Sequence, residues 1–306
     1  MELNYPSDFD VIVEKAKAYG KPARVVIAAA DCENILRGTF QAARDGFVKP
    51  ILVGNDDKIN AVIDEIGEKD VDYSIHVCHG GDNPVQYAIE MINAGDADIL
   101  MRGNTQTRDY LMPILNKANH LIKDNRLVTH VDFLKIPGYE KLMAISDVTL
   151  IIKPTMDDKI VILQNMVEAM NEMGINHPNI ALLAMVEKPS FHMRDTVEDQ
   201  TLTKKHLAKP YADCNLYGPI AYDLIISKDA AKLKNFDCSY CGEFDGIVVP
   251  DLMSGNLMIK VLQRNAGAVG FGMLVGAKVP IAIASRSDEP LHTYLSLAAC
   301  VASLNA

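Results

Sequence analysis

No run of 18 or more apolar residues interrupts this chain, which excludes a membrane-spanning helix of ordinary length. Its first residues, Met1-Glu-Leu-Asn-Tyr-Pro6, lack the basic region and apolar core of a secretory leader, so a cytoplasmic protein is expected. Basic residues are outnumbered: 30 Lys and Arg face 40 Asp and Glu, a formal charge of −10. That balance argues against nucleic acid or an anionic membrane as a partner, since both need a broad cationic face. An anionic small molecule remains compatible where Arg and Lys gather locally. Cysteine is sparse, and its six positions (32, 78, 214, 238, 241 and 300) do not form a disulfide framework in a chain of 306 residues. Cys238 and Cys241 make the one Cys-x-x-Cys pair, but no second such pair or His-x-x-x-His supplies further zinc ligands, so no metal is expected. The Walker pattern is missing too. In Gly270-Phe-Gly272-Met-Leu-Val-Gly276 the third glycine falls one place too late for a dinucleotide fingerprint, and the first strand-to-helix turn reads Ala28-Ala-Ala-Asp31 instead of a glycine-rich loop.

What the chain does have is alternation. Apolar runs at 24–30, 50–54, 74–78 and 97–101 read as strands, each followed by a helical pattern, which implies a parallel sheet covered on both faces. Three close strand-like runs at 127–131, 142–145 and 148–152, separated by Pro137-Gly138 and Ser146-Asp147, mark the passage into a second domain. A helix over 160–170, a strand over 180–186 and a helix within 187–216 follow. The length and pattern predict an α/β fold of two domains, residues 1–136 with 285–306 and residues 137–284.

The most informative stretch is 244–292. Strands Phe244–Pro250 and Val279–Ala284 each feed a helix whose first turn carries small polar residues, so unpaired N–H groups collect at the carboxyl edge of a sheet, where anions bind. Arg286 adds a guanidinium suited to two oxygens of a phosphate. Ser285 and Asp288 have the Ser-x-x-Asp spacing of a capping box, and structure alone explains that spacing as well as chemistry does.

Four ordered motifs decide between those readings: Leu100-Met-Arg-Gly-Asn-Thr-Gln-Thr107, Gly218-Pro-Ile-Ala-Tyr-Asp223, Val249-Pro-Asp-Leu-Met-Ser-Gly-Asn256 running on to Lys260, and Pro280-Ile-Ala-Ile-Ala-Ser-Arg-Ser-Asp288. Together they resemble the phosphate acetyl/butyryl transferases, nearest in length and ending to the butyryl branch. The resemblance implies two α/β domains with an interdomain cleft, as in the isocitrate/isopropylmalate dehydrogenases. It implies transfer of a short acyl group, butyryl or branched, between CoA and phosphate, by direct attack of the CoA thiolate on an acyl phosphate. Coenzyme A and phosphate enter as substrates, with no cofactor and no metal, and a homodimer or higher homo-oligomer is expected.

By position, Ser285 and Arg286 match the residues that meet the transferring group, with Asp288 beside them. The acetyl branch carries an aspartate seven residues after the serine; this chain has His292, so Asp288, Glu289 and His292 are the local candidates for general base. Substrate-binding candidates are Arg102, Gly103 and Thr107, then Gly218, Pro219 and Asp223, and Asp251, Asn256 and Lys260. Asp223 and Asp251 read equally well as helix caps, and Lys260 as a solvated side chain. Two other classes stay open: a non-catalytic module sensing acyl phosphate or acyl-CoA, and an NAD-dependent oxidoreductase of the same two-domain fold.

Overall fold

The computed structural model describes residues 3–68, 70–123, 126–285 and 287–304. The chain divides into two compact units, Met1–Val128 with Gly270–Ala306, and Thr129–Val269. In the first, α1 (Asp10–Lys17) precedes β1 (Ala23–Ala28), α2 (Glu33–Arg44), β2 (Val48–Gly54), α3 (Asp56–Ile66), β3 (Ser74–Val77), α4 (Pro84–Ala94), β4 (Ile99–Arg102) and α5 (Thr107–Leu115). The second runs β5 (Thr129–Lys135), β6 (Leu142–Ser146), α6 (Met156–Glu172), β7 (Asn179–Leu183), α7 (Arg194–Ala208), β8 (Asn215–Ile220), α8 (Tyr222–Ile226), α9 (Lys228–Leu233), β9 (Gly246–Val248) and α10 (Leu252–Arg264). The chain then closes the first unit with β10 (Val269–Val275), β11 (Ile281–Ala282) and α11 (Pro290–Ser303).

Local chemistry explains the boundaries. Val25, Val26 and Ile27 of β1 are fully buried, as a parallel strand covered on both faces must be. Asn83 takes the N–H groups of Val85 and Gln86 ahead of Pro84, which needs no donor at the first helical position, and Gly95 ends α4 in the left-handed region. Strand order in the first unit is β3-β2-β1-β4-β11-β10, parallel except for β10 against β11. Pairing of Ala28 with Arg102 and of Met101 with Ala282 sets the carboxyl ends of β1, β4 and β11 side by side. In the second unit the order is β5-β6-β9-β7-β8, with only β5 antiparallel. Its core gathers Leu134, Met143, Ile145, Phe244 and Ile247.

The domain boundaries expected at 136/137 and 284/285 fall instead at 128/129 and 269/270. β5 pairs with β6 and so belongs to the second unit, whereas β11 lies beside β4 and draws the preceding segment into the first. The strand expected over 279–284 is confined to Ile281–Ala282, and the last helix starts at Pro290 rather than at 285. Residues 148–152 are not a strand, because the Asp147 carboxylate takes the N–H groups of Thr149, Leu150 and Ile151 that a ladder would need. In the polar segment 187–216, α7 is held by a buried ion pair: Lys159 Nζ of α6 lies 2.6 Å from Asp199 Oδ1, with side chains 2% and 1% exposed. Burial pushes the Asp199 carboxyl up to about 6, outweighing the opposing pull of Lys159.

Candidate functional site

The first unit brings two of the predicted motifs together where β1, β4 and β11 end. Gly103 N donates to Ala28 O at 2.9 Å and Asn104 N to Ala29 O at 2.6 Å, so the chain leaving β4 runs against the chain leaving β1. A side chain at Gly103 would run into the carbonyls of Ala28 and Ala29; glycine is required by that close approach. Arg102, 6% exposed, donates from Nε and Nη2 to Thr105 O at 3.1 and 2.6 Å, and from Nη1 to Ala284 O at 3.4 Å. These bonds brace the β4–α5 loop against the residue before Ser285. Arg102 thus positions the site's backbone. Thr107 opens α5 and is half-buried.

Ser285, Ser287 and Asp288 are not helical and are tied to one another by hydrogen bonds. Ser285 N donates to Asp288 Oδ2 at 2.8 Å and Asp288 N to Ser285 O at 2.9 Å, while Ser285 Oγ lies 3.1 Å from Ser287 Oγ. Asn34 Nδ2, in the first turn of α2, donates to Asp288 O at 3.0 Å and pins the turn from the other side. Arg286 lies outside the described residues. His292 Nε2 stands 3.6 Å from Asp288 Oδ2, and both side chains are about nine-tenths buried. Neither ring nitrogen of His292 has a hydrogen-bond partner among the described residues. Of the three candidate bases, Asp288 and His292 are therefore in contact, and Glu289 is exposed at the N-cap of α11.

α2, α5 and α11 all begin at this edge, and none has a side-chain cap. Their first-turn N–H groups give the edge positive potential, suited to an anionic group.

The remaining predicted residues belong to the second unit. Gly218 lets β8 pass β7, since a side chain there would strike Leu182, and its carbonyl accepts from Thr203 Oγ1 at 3.0 Å. The Gly218–Pro219 peptide is cis. Asp223 is half-exposed and paired with Lys234 at 2.9 Å, which also meets Glu187 at 3.1 Å. Asp251 is the N-cap of α10 and accepts from Ser254 N at 2.8 Å and Ser254 Oγ at 2.7 Å; the Ser254 N–H above all holds its carboxyl below the usual range. The capping reading of Asp251 is the one its geometry displays. Asn256 Nδ2 donates to Val148 O at 3.2 Å, and Lys260, one turn on, is exposed.

Those motifs frame a residue the spacing did not single out. Asp147, 2% exposed, accepts from His130 N at 2.7 Å as well as from Thr149, Leu150 and Ile151 N at 2.9, 2.7 and 3.2 Å. His130 Nδ1 meets Thr149 Oγ1 at 2.6 Å and its Nε2 lies 3.3 Å from Asp132 Oδ1. The available signal was an Asp two residues before a Thr between apolar runs, the pattern of a turn in which a carboxylate replaces a strand partner. Gly255 packs α10 onto Asp147 O and Val148, so the ends of β6 and β9 are fixed together.

A family model described as "Phosphate acetyl/butaryl transferase" matches residues 76–300. The chain is 28% identical to a phosphate acetyltransferase of Thermotoga maritima, with 94% of this chain and 96% of the relative covered. It is 29% identical to a phosphate butyryltransferase of Clostridium acetobutylicum, covering 96% and 98%. Among solved structures, a branched-chain phosphotransacylase from Enterococcus faecalis superposes with a TM-score of 0.79 at 25% identity, over 92% of this chain and 99% of that one. A putative 4-hydroxythreonine-4-phosphate dehydrogenase from Salmonella typhimurium shares the fold with a TM-score of 0.55 at 11% identity, over 92% of this chain and 100% of that one.

Proposed function

The chain belongs to the phosphate acetyl/butyryl transferase family, and from that premise we propose that the turn Ser285–Asp288 in the first unit holds the reacting acyl phosphate. The protein is an acyltransferase, a phosphotransacylase, catalysing acyl-CoA plus phosphate to acyl phosphate plus CoA. One observation carries the placement of the site: the Ser285 turn stands at the junction of three strand ends and three uncapped helix starts, braced by Arg102 from one side and Asn34 from the other.

In the direction of acyl-CoA synthesis, the CoA thiol must lose its proton, the carbonyl oxygen must be stabilised as charge builds on it, and phosphate must leave in line. Ser285 Oγ donates a hydrogen bond to the developing oxyanion. Arg286 and the helix starts hold the departing phosphate. The Asp288–His292 pair accepts the thiol proton, taking the place of the aspartate found seven residues after the serine in the acetyl branch. The Gly218, Asp251 and Asn256 motifs of the second unit are further candidate contacts for CoA, with Lys260 as the exposed cation for its phosphates. The dehydrogenase-like arrangement about a cleft and a butyryl or branched acyl chain belong to the same proposal, as does a cytoplasmic homo-oligomer. Met253, Leu257 and Val261, exposed one turn apart along α10, support self-association.

Phosphate-dependent CoA release, measured across acyl-CoAs of increasing chain length, tests the assignment. Arg286→Ala is expected to lower kcat/KM by more than about 2 kcal/mol in transition-state terms, the usual cost of removing one charged contact. Unchanged kinetics would remove Arg286 from the mechanism.

A further inference from the structure

Cys238 and Cys241 take no part in the chemistry above. They lie between α9 and β9, where Cys241 N donates to Cys238 O at 3.4 Å and residues 239–242 form a turn. Such a turn brings the Cα atoms of its first and fourth residues within about 7 Å. A disulfide spans about 4.4–6.8 Å between Cα atoms. The two thiols are close enough for the Cys238 sulfur to act on the Cys241 thiol. Among the described residues no three of His, Cys, Asp and Glu converge, so the pair has no third ligand to hold a metal. It does have access, because both cysteines line a cavity of about 630 Å³ with Lys228, Lys232 and Phe236. Cys238 is half-buried and Cys241 is 4% exposed, which orders the two sulfurs as outer and inner.

We propose that Cys238 and Cys241 are a thiol–disulfide exchange site that closes to an intramolecular disulfide on meeting a low-molecular-weight disulfide, R–S–S–R. In the first step the Cys238 thiolate attacks one sulfur of R–S–S–R; a Cys238–S–S–R bond forms, and R–S⁻ departs and takes a proton from solvent. In the second, the Cys241 thiolate attacks the Cys238 sulfur, the mixed disulfide breaks, and the second R–S⁻ leaves. The protein gives up two protons and two electrons, and R–S–S–R becomes two R–SH. Burial, and after it the neighbouring Cys238 sulfur, push the Cys241 thiol up to about 12. Capping Cys238 removes that neighbour's negative charge, so the inner thiol ionises more readily once the first step has occurred. The turn is also tied to the rest of the unit: Gly242 N donates to Leu224 O and Ile225 O at 3.2 and 3.1 Å, which fastens it to α8, the helix that carries Asp223.

The test treats the full chain, folded, with excess glutathione disulfide, quenches in acid, and maps alkylated thiols after denaturation. Two of the six cysteines should escape alkylation, both within one peptide lighter by two hydrogens, and dithiothreitol should restore them. Cys241→Ser should instead accumulate a single glutathionyl group on Cys238, and Cys238→Ser should leave Cys241 alkylatable. Full alkylation of both cysteines in the treated wild type overturns the proposal, and so does a lasting mixed disulfide on Cys238 with Cys241 intact.

Discussion

Replacing Asp288 by alanine removes the acceptor that holds Ser285 N at 2.8 Å and the carboxylate 3.6 Å from His292. The Asp288 side chain is 11% exposed, so water cannot fully take over either role. A hydrogen bond to a charged acceptor contributes about 1.5–3 kcal/mol. If the turn must keep its shape only while the acyl phosphate reacts, that energy is lost from the transition state, a fall of roughly ten- to a hundredfold in kcat/KM. Asp288→Asn keeps an oxygen that can accept from Ser285 N but no charge for His292. It should therefore retain the fold and the phosphate KM while losing rate, which separates positioning from proton transfer. The assay is phosphate-dependent CoA release followed with a thiol reagent, alongside a urea melt of each variant. Asp288→Ala working within about threefold of the wild type would refute the reasoning, since even one neutral hydrogen bond is typically worth about 1 kcal/mol.

Asp147→Ala strands four backbone N–H groups, and each left unsatisfied costs about 1–3 kcal/mol; a loss of about 3 kcal/mol or more in urea unfolding is expected, and a loss below about 1 kcal/mol would contradict it. Asp199 binds its proton more tightly in the folded than in the unfolded chain, so its contribution is full below its ordinary value of 3.8 and is lost as pH rises through about 6. The urea midpoint should show that fall in the wild type and not in Asp199→Asn. Removing the carboxylate outright, in Asp199→Ala, leaves the Lys159 ammonium buried and should cost about 3–5 kcal/mol, while Lys159→Met with Asp199→Leu should recover most of it. Gly103→Ala forces the ends of β1 and β4 apart; about 1–3 kcal/mol of stability and a larger share of activity should be lost, and wild-type activity would show that the close approach is not needed.

Much of the first unit could be read from residue order alone, because its instructions are local. Val25 to Ala28 is a fully buried run, and Asn83, Pro84 and Gly95 punctuate one helix of 11 residues. The edge at Ser285 was legible for the same reason: Ser-x-x-Asp predicts a carboxylate on a nearby N–H, and Asp288 makes that bond. Its consequence was misjudged, since Pro290 starts the helix later and leaves a turn. Arg102, expected as an anion contact, also braces carbonyls, one of them 182 residues away in sequence, which no local pattern announces. The Lys159–Asp199 pair was not legible, because its partners come together only once α6 and α7 have packed, and of the four donors on Asp147 only His130 N is distant in sequence. In 148–152 the apolar string outweighs the one local signal, the Asp two residues before Thr149, whose carboxylate claims the donors.

The first unit is interrupted in sequence by the second, and this sets an order of events during synthesis. β11 belongs between β4 and β10, and α11, almost every residue of which is buried, packs on α1 and α2. Residues 129–269 leave the ribosome as one contiguous stretch before either piece exists, so the inserted unit can settle while the surrounding one waits with an open sheet edge and a bare apolar face. The nascent chain is thus most exposed to misassembly in the interval just before its closing helix emerges, and that helix, once out, supplies the missing cover.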